Sequence, residues 1–379
     1  MADQFTETTT TGWGKRIVNS FMGVLIGILL FFFSFVVLWK TEGRTNYAKV
    51  AAKSVALSIQ SVDQNGQDKL VSATGTMETP DSVGDPEFLR PGSYIMLQRT
   101  VEMYAWKERS SSKSKKNMGG SETTTTTYTY EKEWTSNPEN SADFKKPKGH
   151  ANPELDIPEK EFYAGQTKLG AYELDIQNMQ LPDASKLEIG RNDLSPEMPD
   201  SFKLSQGYLF KGKGTLSEPE VGDVRLSFGA IVSGKKVTVF GKLTGGAIEP
   251  YLIKGETKFY RAMAGTRDEA IAQLKTEYKV AGWMGRIIGF LMMWIGLFLL
   301  SGPLHNVLDV LPFLGTASRF VAGLITFPIA LVLSLVTIIV SLIAHNIIAL
   351  AVVLAAIAGL LVYLKQRKKA GPTPAPAKP

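Results

Sequence analysis

The sequence predicts a membrane protein with four transmembrane α-helices, one N-terminal and three C-terminal. Between them it predicts a large extramembrane α+β domain rich in antiparallel strands. Three observations carry this reading. Long uncharged apolar blocks sit near the two ends of the chain, the segment between them is polar with strand-like alternation, and a basic run follows the last block. The averages hide the division: 44% of the 379 residues are hydrophobic, yet the mean hydropathy is zero.

The first block, Ile17–Trp39, has 23 residues without a charge. That is enough to cross a hydrocarbon core of about 30 Å at a rise of about 1.5 Å per residue. It is longer than a signal-peptide core, has no small-residue cleavage site, and is read as a retained anchor. The second block, 287–302, is short, and Trp283, Met284 and Gly285 extend it while Arg286 snorkels. The third, 320–344, contains Pro328, which predicts a kink. The fourth is 347–364, set off by the turn His345-Asn346. Gly23 and Gly27, and again Gly285 and Gly289, have the GxxxG spacing that lets helix backbones approach closely.

Four spans place both termini on one side. Lys15 and Arg16 before the first span, Arg319 in the loop 303–319, and Lys365, Arg367, Lys368 and Lys369 after the last span make that side cytoplasmic. The reading is therefore a cytoplasmic N-terminus (1–16), a periplasmic or lumenal domain (40–286), and a disordered Pro-rich cytoplasmic tail (365–379). Eight basic residues and three acids lie outside 40–286, a net of +5, which leaves +1 of the total +6 for the domain. The basic balance is thus a topology signal and predicts no nucleic-acid partner. Residues beside the spans face lipid head groups.

Within the domain, alternation and β-branched or aromatic content predict strands at 70–77, 94–106, 124–134, 223–232, 236–243, 248–253 and 257–260. A helix is predicted over 50–59. A second, 266–281, is capped by Thr266 and runs into the second span. The Ser/Lys-rich stretch 107–120 reads as a long hairpin tip, and 144–161 as a loop.

The chemistry is sparse. With no Cys, thiol redox chemistry, disulfides and thiolate metal sites are excluded. Three scattered His make no metalloprotease pair, and neither a catalytic residue nor a metal or cofactor site is assigned. Gly207–Lys213 fits GxxxxGK, but Gly214 stands where a phosphate loop needs Ser or Thr. The pairs Asp81/Asp85 and Glu218/Glu220 read as solvated turns.

Several motifs resemble the LUMA (transmembrane protein 43) family of four-pass membrane proteins. They are Glu42-Gly43-Arg44, the run from Leu97 through Arg99, Glu102 and Tyr104 to Trp106, and the run Tyr128, Tyr130, Trp134. His150-Ala-Asn152-Pro153 and Gly222-Asp223-Val-Arg225 complete the set. The resemblance implies a non-enzymatic scaffold that self-associates and binds other membrane proteins. In animal members it also implies the endoplasmic reticulum and inner nuclear membrane; a bacterial member would sit in the inner membrane. From the residues alone, Arg99 and Glu102 fall on opposite faces of a strand and do not pair. Tyr104 and Trp106 share a face and can meet an aromatic layer of Tyr128, Tyr130 and Trp134. The rival readings are an envelope enzyme with an unmarked active site and, behind it, a transporter or channel.

Overall fold

The computed structural model describes residues 3–369, so the expected disorder of the tail lies partly outside the described residues. The chain forms two compact units. Among the described residues, one comprises 3–9, 46–113 and 124–278; the other comprises 10–45, 114–123 and 279–369.

The first unit is built on two sheets. The eight-stranded sheet centres on the strand Tyr94–Lys116, flanked by Val224–Val232 on one side and Glu122–Thr135 on the other. Alternation sets the burial: Ile95, Leu97, Val101, Met103 and Ala105 are all inward. The strand is longer than expected, through Lys116, because its Ser/Lys-rich end pairs with the β-branched Thr run of Glu122–Thr135. In the second sheet Lys235–Thr244, Ala247–Glu249, Tyr172–Leu174, Thr167–Leu169 and Leu70–Glu78 pair in turn, and the last pairs back on the first. This closes a ring of five strands, which removes its open edges. Its interior holds Val71, Ala73, Leu169, Tyr172, Val239 and Leu243.

The predicted helix over 50–59 is corrected. Helix α2 covers only Tyr47–Ala51, and Val55–Leu57 turns into a strand parallel to Val71–Ala73. β-branched Val55 and the gain of a sheet edge outweigh the helical periodicity.

A larger correction concerns the N-terminus. Residues 3–11, expected across the membrane from the domain, form a strand on Glu122–Thr135 and so the edge of the eight-stranded sheet. Thr8 and Thr125 hydroxyls meet at 3.3 Å, Glu7 pairs with Lys145 at 2.6 Å, and Asp3 lies 2.9 Å from His150. The Thr-rich run is β-branched and alternating, a strand signature that its exposure concealed.

The second unit is helical: α1 (Trp13–Gly43), the apolar part of α3 (Arg267–Leu300), α4 (Gly302–Leu308), α5 (Pro312–Ala344) and α6 (Ile347–Lys369). Three helices, α1, α3 and α5, are long and apolar enough to cross a membrane. The described apolar part of α6, Ile348–Leu361, is shorter. The stretch read as a loop at 303–319 is mostly helical, because Pro303 and Pro312 each sit in a first turn, where their missing N–H costs nothing.

Helices α1 and α3 run antiparallel. A Cβ on Gly27 would stand 2.8 Å from the Gly296 carbonyl, one on Gly289 would strike Leu38, and one on Gly285 would strike Thr41. Three of the four predicted packing glycines therefore serve contacts within the chain. Gly23 faces open space.

Candidate functional site

The motif residues fall in four clusters, three in the sheet-rich unit and one in the helical unit. The first surrounds His150, which is 1% exposed. The end of Tyr94–Lys116 carries Trp106 beyond the reach of Val224–Val232. Tyr104 N–H still donates to the Asp223 carbonyl at 2.8 Å, and Gly222 N–H to the Tyr104 carbonyl at 2.9 Å. Past that point the Asn152 side chain replaces the missing strand. Its Oδ1 accepts from Trp106 N–H at 2.7 Å and its Nδ2 donates to the Trp106 carbonyl at 2.8 Å. This fixes the neighbouring His150 ring, which stacks on Tyr130 at 3.8 Å and meets the edge of Trp106 at 4.7 Å. His150 Nδ1 lies 2.8 Å from the Lys146 carbonyl and Nε2 lies 2.9 Å from Asp3 Oδ2. Both ring nitrogens thus face acceptors. Tyr128 packs against Phe5 at 6.1 Å, so this cluster clasps the N-terminal strand.

Tyr130 is fully engaged as well. Its hydroxyl donates to Glu108 Oε2 at 2.7 Å and accepts from Lys146 N–H at 2.9 Å. Burial, then the Glu108 contact, pushes its pKa up to about 12. A folded pKa above the unfolded value means stability that is present below about pH 10 and lost as pH rises through 12. Tyr130→Phe leaves Glu108 and the Lys146 N–H each short of a partner. The expected cost is about 1–3 kcal/mol, seen as a lower denaturation midpoint; an unchanged midpoint refutes it.

The second cluster joins the Gly222 motif to the aromatic run. Gly222 has φ +96°, which only glycine adopts freely, and a Cβ there would press on Pro153 at 3.0 Å. Asp223 then turns inward, and its carboxylate accepts from the N–H groups of Lys213, Gly214 and Glu220 at 2.9, 3.2 and 2.8 Å. The near phosphate loop is therefore filled by the chain's own carboxylate. Arg225 donates to Glu102 at 2.7 Å and lies over Trp134 at 4.5 Å and Tyr208 at 4.9 Å. Trp134 meets Tyr104 at 5.4 Å.

Arg99, as expected, does not pair with Glu102. It is buried against Asp85 at 2.9 Å, with Glu87 at 3.2 Å and the Phe88 ring below. Asp85 is thus corrected from a solvated turn to a buried partner. Burial raises its carboxyl above the usual range, against the lowering pull of Arg99.

In the helical unit Glu42 binds Arg286 with both oxygens, at 2.7 and 2.9 Å, so Arg286 pairs instead of snorkelling. The His345 ring fills the space where a Cβ on Gly43 would stand, and the Arg44 guanidinium does the same at Gly282. The motif Glu42-Gly43-Arg44 ties one end of α1 to α3 and α5.

At the other end of α1 is a cluster that the sequence reading missed. Asp309, 0% exposed, accepts from Arg16 at 2.5 Å and Arg319 at 2.6 Å, and pairs with Lys116 at 3.1 Å. Arg16 also reaches Glu122 at 3.0 Å and the Gly120 carbonyl at 2.5 Å. The hairpin tip 114–123 therefore docks beside Arg16, which departs from the expectation that all of 40–286 lies across the membrane from it. The available signal was Asp309 itself, the lone acid between the second and third apolar blocks.

Among the described residues, no group of three or more His, Asp or Glu is placed to hold a metal ion. Membrane-length apolar helices joined to a sheet-rich polar unit define a multi-pass membrane protein with a large extramembrane domain. Residues 103–347 match the model of the transmembrane protein 43 family. The chain belongs to that family. Transmembrane protein 43 of Mus musculus is 27% identical over 326 residues, covering 79% of each chain, and that of Homo sapiens matches to the same extent. The Drosophila melanogaster homolog is 27% identical over 286 residues, covering 72% of this chain and 74% of that protein. No solved structure matches significantly.

Proposed function

We propose that the protein is a non-enzymatic membrane scaffold that self-associates and organises other membrane proteins. The observation that carries this reading is the fate of the motif side chains. His150, Asn152, Asp223, Arg225 and Glu42 each spend their polar groups on another part of the same fold. Groups so committed build a shape and leave little for a reacting substrate. Association then falls to exposed apolar faces such as those of α5 and α6, since Gly27 of α1 is already packed on α3. In this reading α6 is a fourth span. The basic residues from Lys365 to Lys369 hold the C-terminus on the cytoplasmic side.

The absence of Cys makes a clean test. Val352 on α6 is 62% exposed, and Val352→Cys in native membranes is expected to give oxidative dimers between copies. A strict monomer at this and at Leu324→Cys on α5, with nothing co-purifying, overturns the proposal.

A further inference from the structure

The sheet-rich unit contains a cleft that the motifs do not explain. It has a volume of about 230 Å³ and is lined by Tyr47, Asn178, Gln180, Lys258, Tyr260 and Arg261, with Phe259 at its base. No acid lines it. Arg261 is held in place by both oxygens of Glu277, at 2.7 and 2.9 Å. Lys258 takes part in no ion pair among the described residues. The walls are built: Tyr47 packs on Phe259 at 5.3 Å, and Gln180 bonds the backbone on both sides of Arg261 at 3.0 and 2.9 Å.

Two covalent facts put this cleft near lipid. Tyr47 lies four residues after the end of α1, within about 14 Å of Gly43 at full extension. Glu277 is on α3, which continues unbroken into its apolar part, so Trp283 is about 9 Å further along the axis. Each polar layer of a bilayer is roughly 5–8 Å deep. Beside the cleft, Leu252 is the cross-strand partner of Lys258 on a two-stranded hairpin and is 50% exposed. An apolar side chain paired with a cation on one face is the composition of an interfacial contact.

We infer that this cleft binds the phosphodiester headgroup of an anionic phospholipid. Lys258 neutralises the phosphate, the Gln180 amide and the Tyr47 hydroxyl take the headgroup's polar substituents, and Leu252 rests on the first acyl carbons. The inference stands apart from self-association, since one copy supplies the whole cleft.

The test uses the full chain purified in a maltoside detergent and titrated calorimetrically. The probes are dihexanoyl phosphatidylglycerol, dihexanoyl phosphatidylcholine and glycerol 3-phosphate. Saturable binding of phosphatidylglycerol is expected, with phosphatidylcholine at least tenfold weaker. Lys258→Ala is expected to lose tenfold or more and Lys258→Arg to retain binding; the side chain is exposed, so neither variant disturbs the fold. Leu252→Ser is expected to weaken the lipid and leave glycerol 3-phosphate unchanged. Equal binding of both lipids, or no effect of Lys258→Ala, overturns the site. Glycerol 3-phosphate binding as tightly as the lipid, with Leu252→Ser silent, overturns the lipid as its occupant.

Discussion

Asp309→Ala is expected to destabilise the helical unit by about 3–5 kcal/mol, because removing one member of a buried ion cluster strands the charges left behind. Asp309 meets Arg16, Arg319 and Lys116, and Arg16 is itself only 6% exposed. The guanidinium of Arg16 would keep Glu122 and the Gly120 carbonyl, but the Arg319 pair would lose its carboxylate entirely. The carboxylate packs directly on α5, where its Oδ1 fills the space that a Cβ on Gly315 would take. Asp309→Asn keeps the shape and one acceptor and is expected to cost less. Lys116→Met leaves Asp309 with both arginines, whose guanidinium contacts are the shorter ones, and is expected to cost the least. The readout is the unfolding midpoint in detergent together with tryptic cleavage at Lys115 and Lys116, which should accelerate as the tip is released. An Asp309→Ala protein with both unchanged refutes the lock.

This cluster marks where reading the sequence stopped. Arg16 and Arg319 enter a positive-inside count as free cations, whereas both are bound to the same carboxylate. A charge tally cannot see pairing between residues nearly 300 positions apart. The strands 70–78, 94–116 and 224–232 were legible because alternation is a local property and burial follows it. The closure of five strands into a ring was not, since it depends on registers such as Val239 against Ala73 that no local pattern encodes. The aromatic layer was partly legible: even spacing brought Tyr104 to Trp134 as expected. The anchor of His150 was not, because Asp3 sits in a Thr-rich segment that looked like a free end.

Met118→Cys is expected to react with an impermeant maleimide from the same side of the membrane as Gly14→Cys, and from the side opposite Lys40→Cys. The natural chain has no thiol to interfere, and Met118 is 77% exposed. The expectation follows from what holds the tip. Gly119 N–H donates to the Val310 carbonyl at 3.1 Å, the Trp13 ring occupies the space beside Gly120, and Trp13 Nε1 donates to the Asn306 carbonyl at 2.8 Å. All of these lie at the Arg16 end of α1, whereas Glu42 and Gly43 make their contacts with Arg286 and His345 at the other. From Arg16 to Glu42 the helix rises about 39 Å, more than the roughly 30 Å hydrocarbon core, so the two ends cannot share a face if α1 spans. Charge and hydropathy alone assign Met118 to the side of Lys40, because both fall within 40–286. The hydrogen bonds assign it to the side of Gly14. Labelling of Met118→Cys together with Lys40→Cys would restore the simpler topology and dismiss the docked tip.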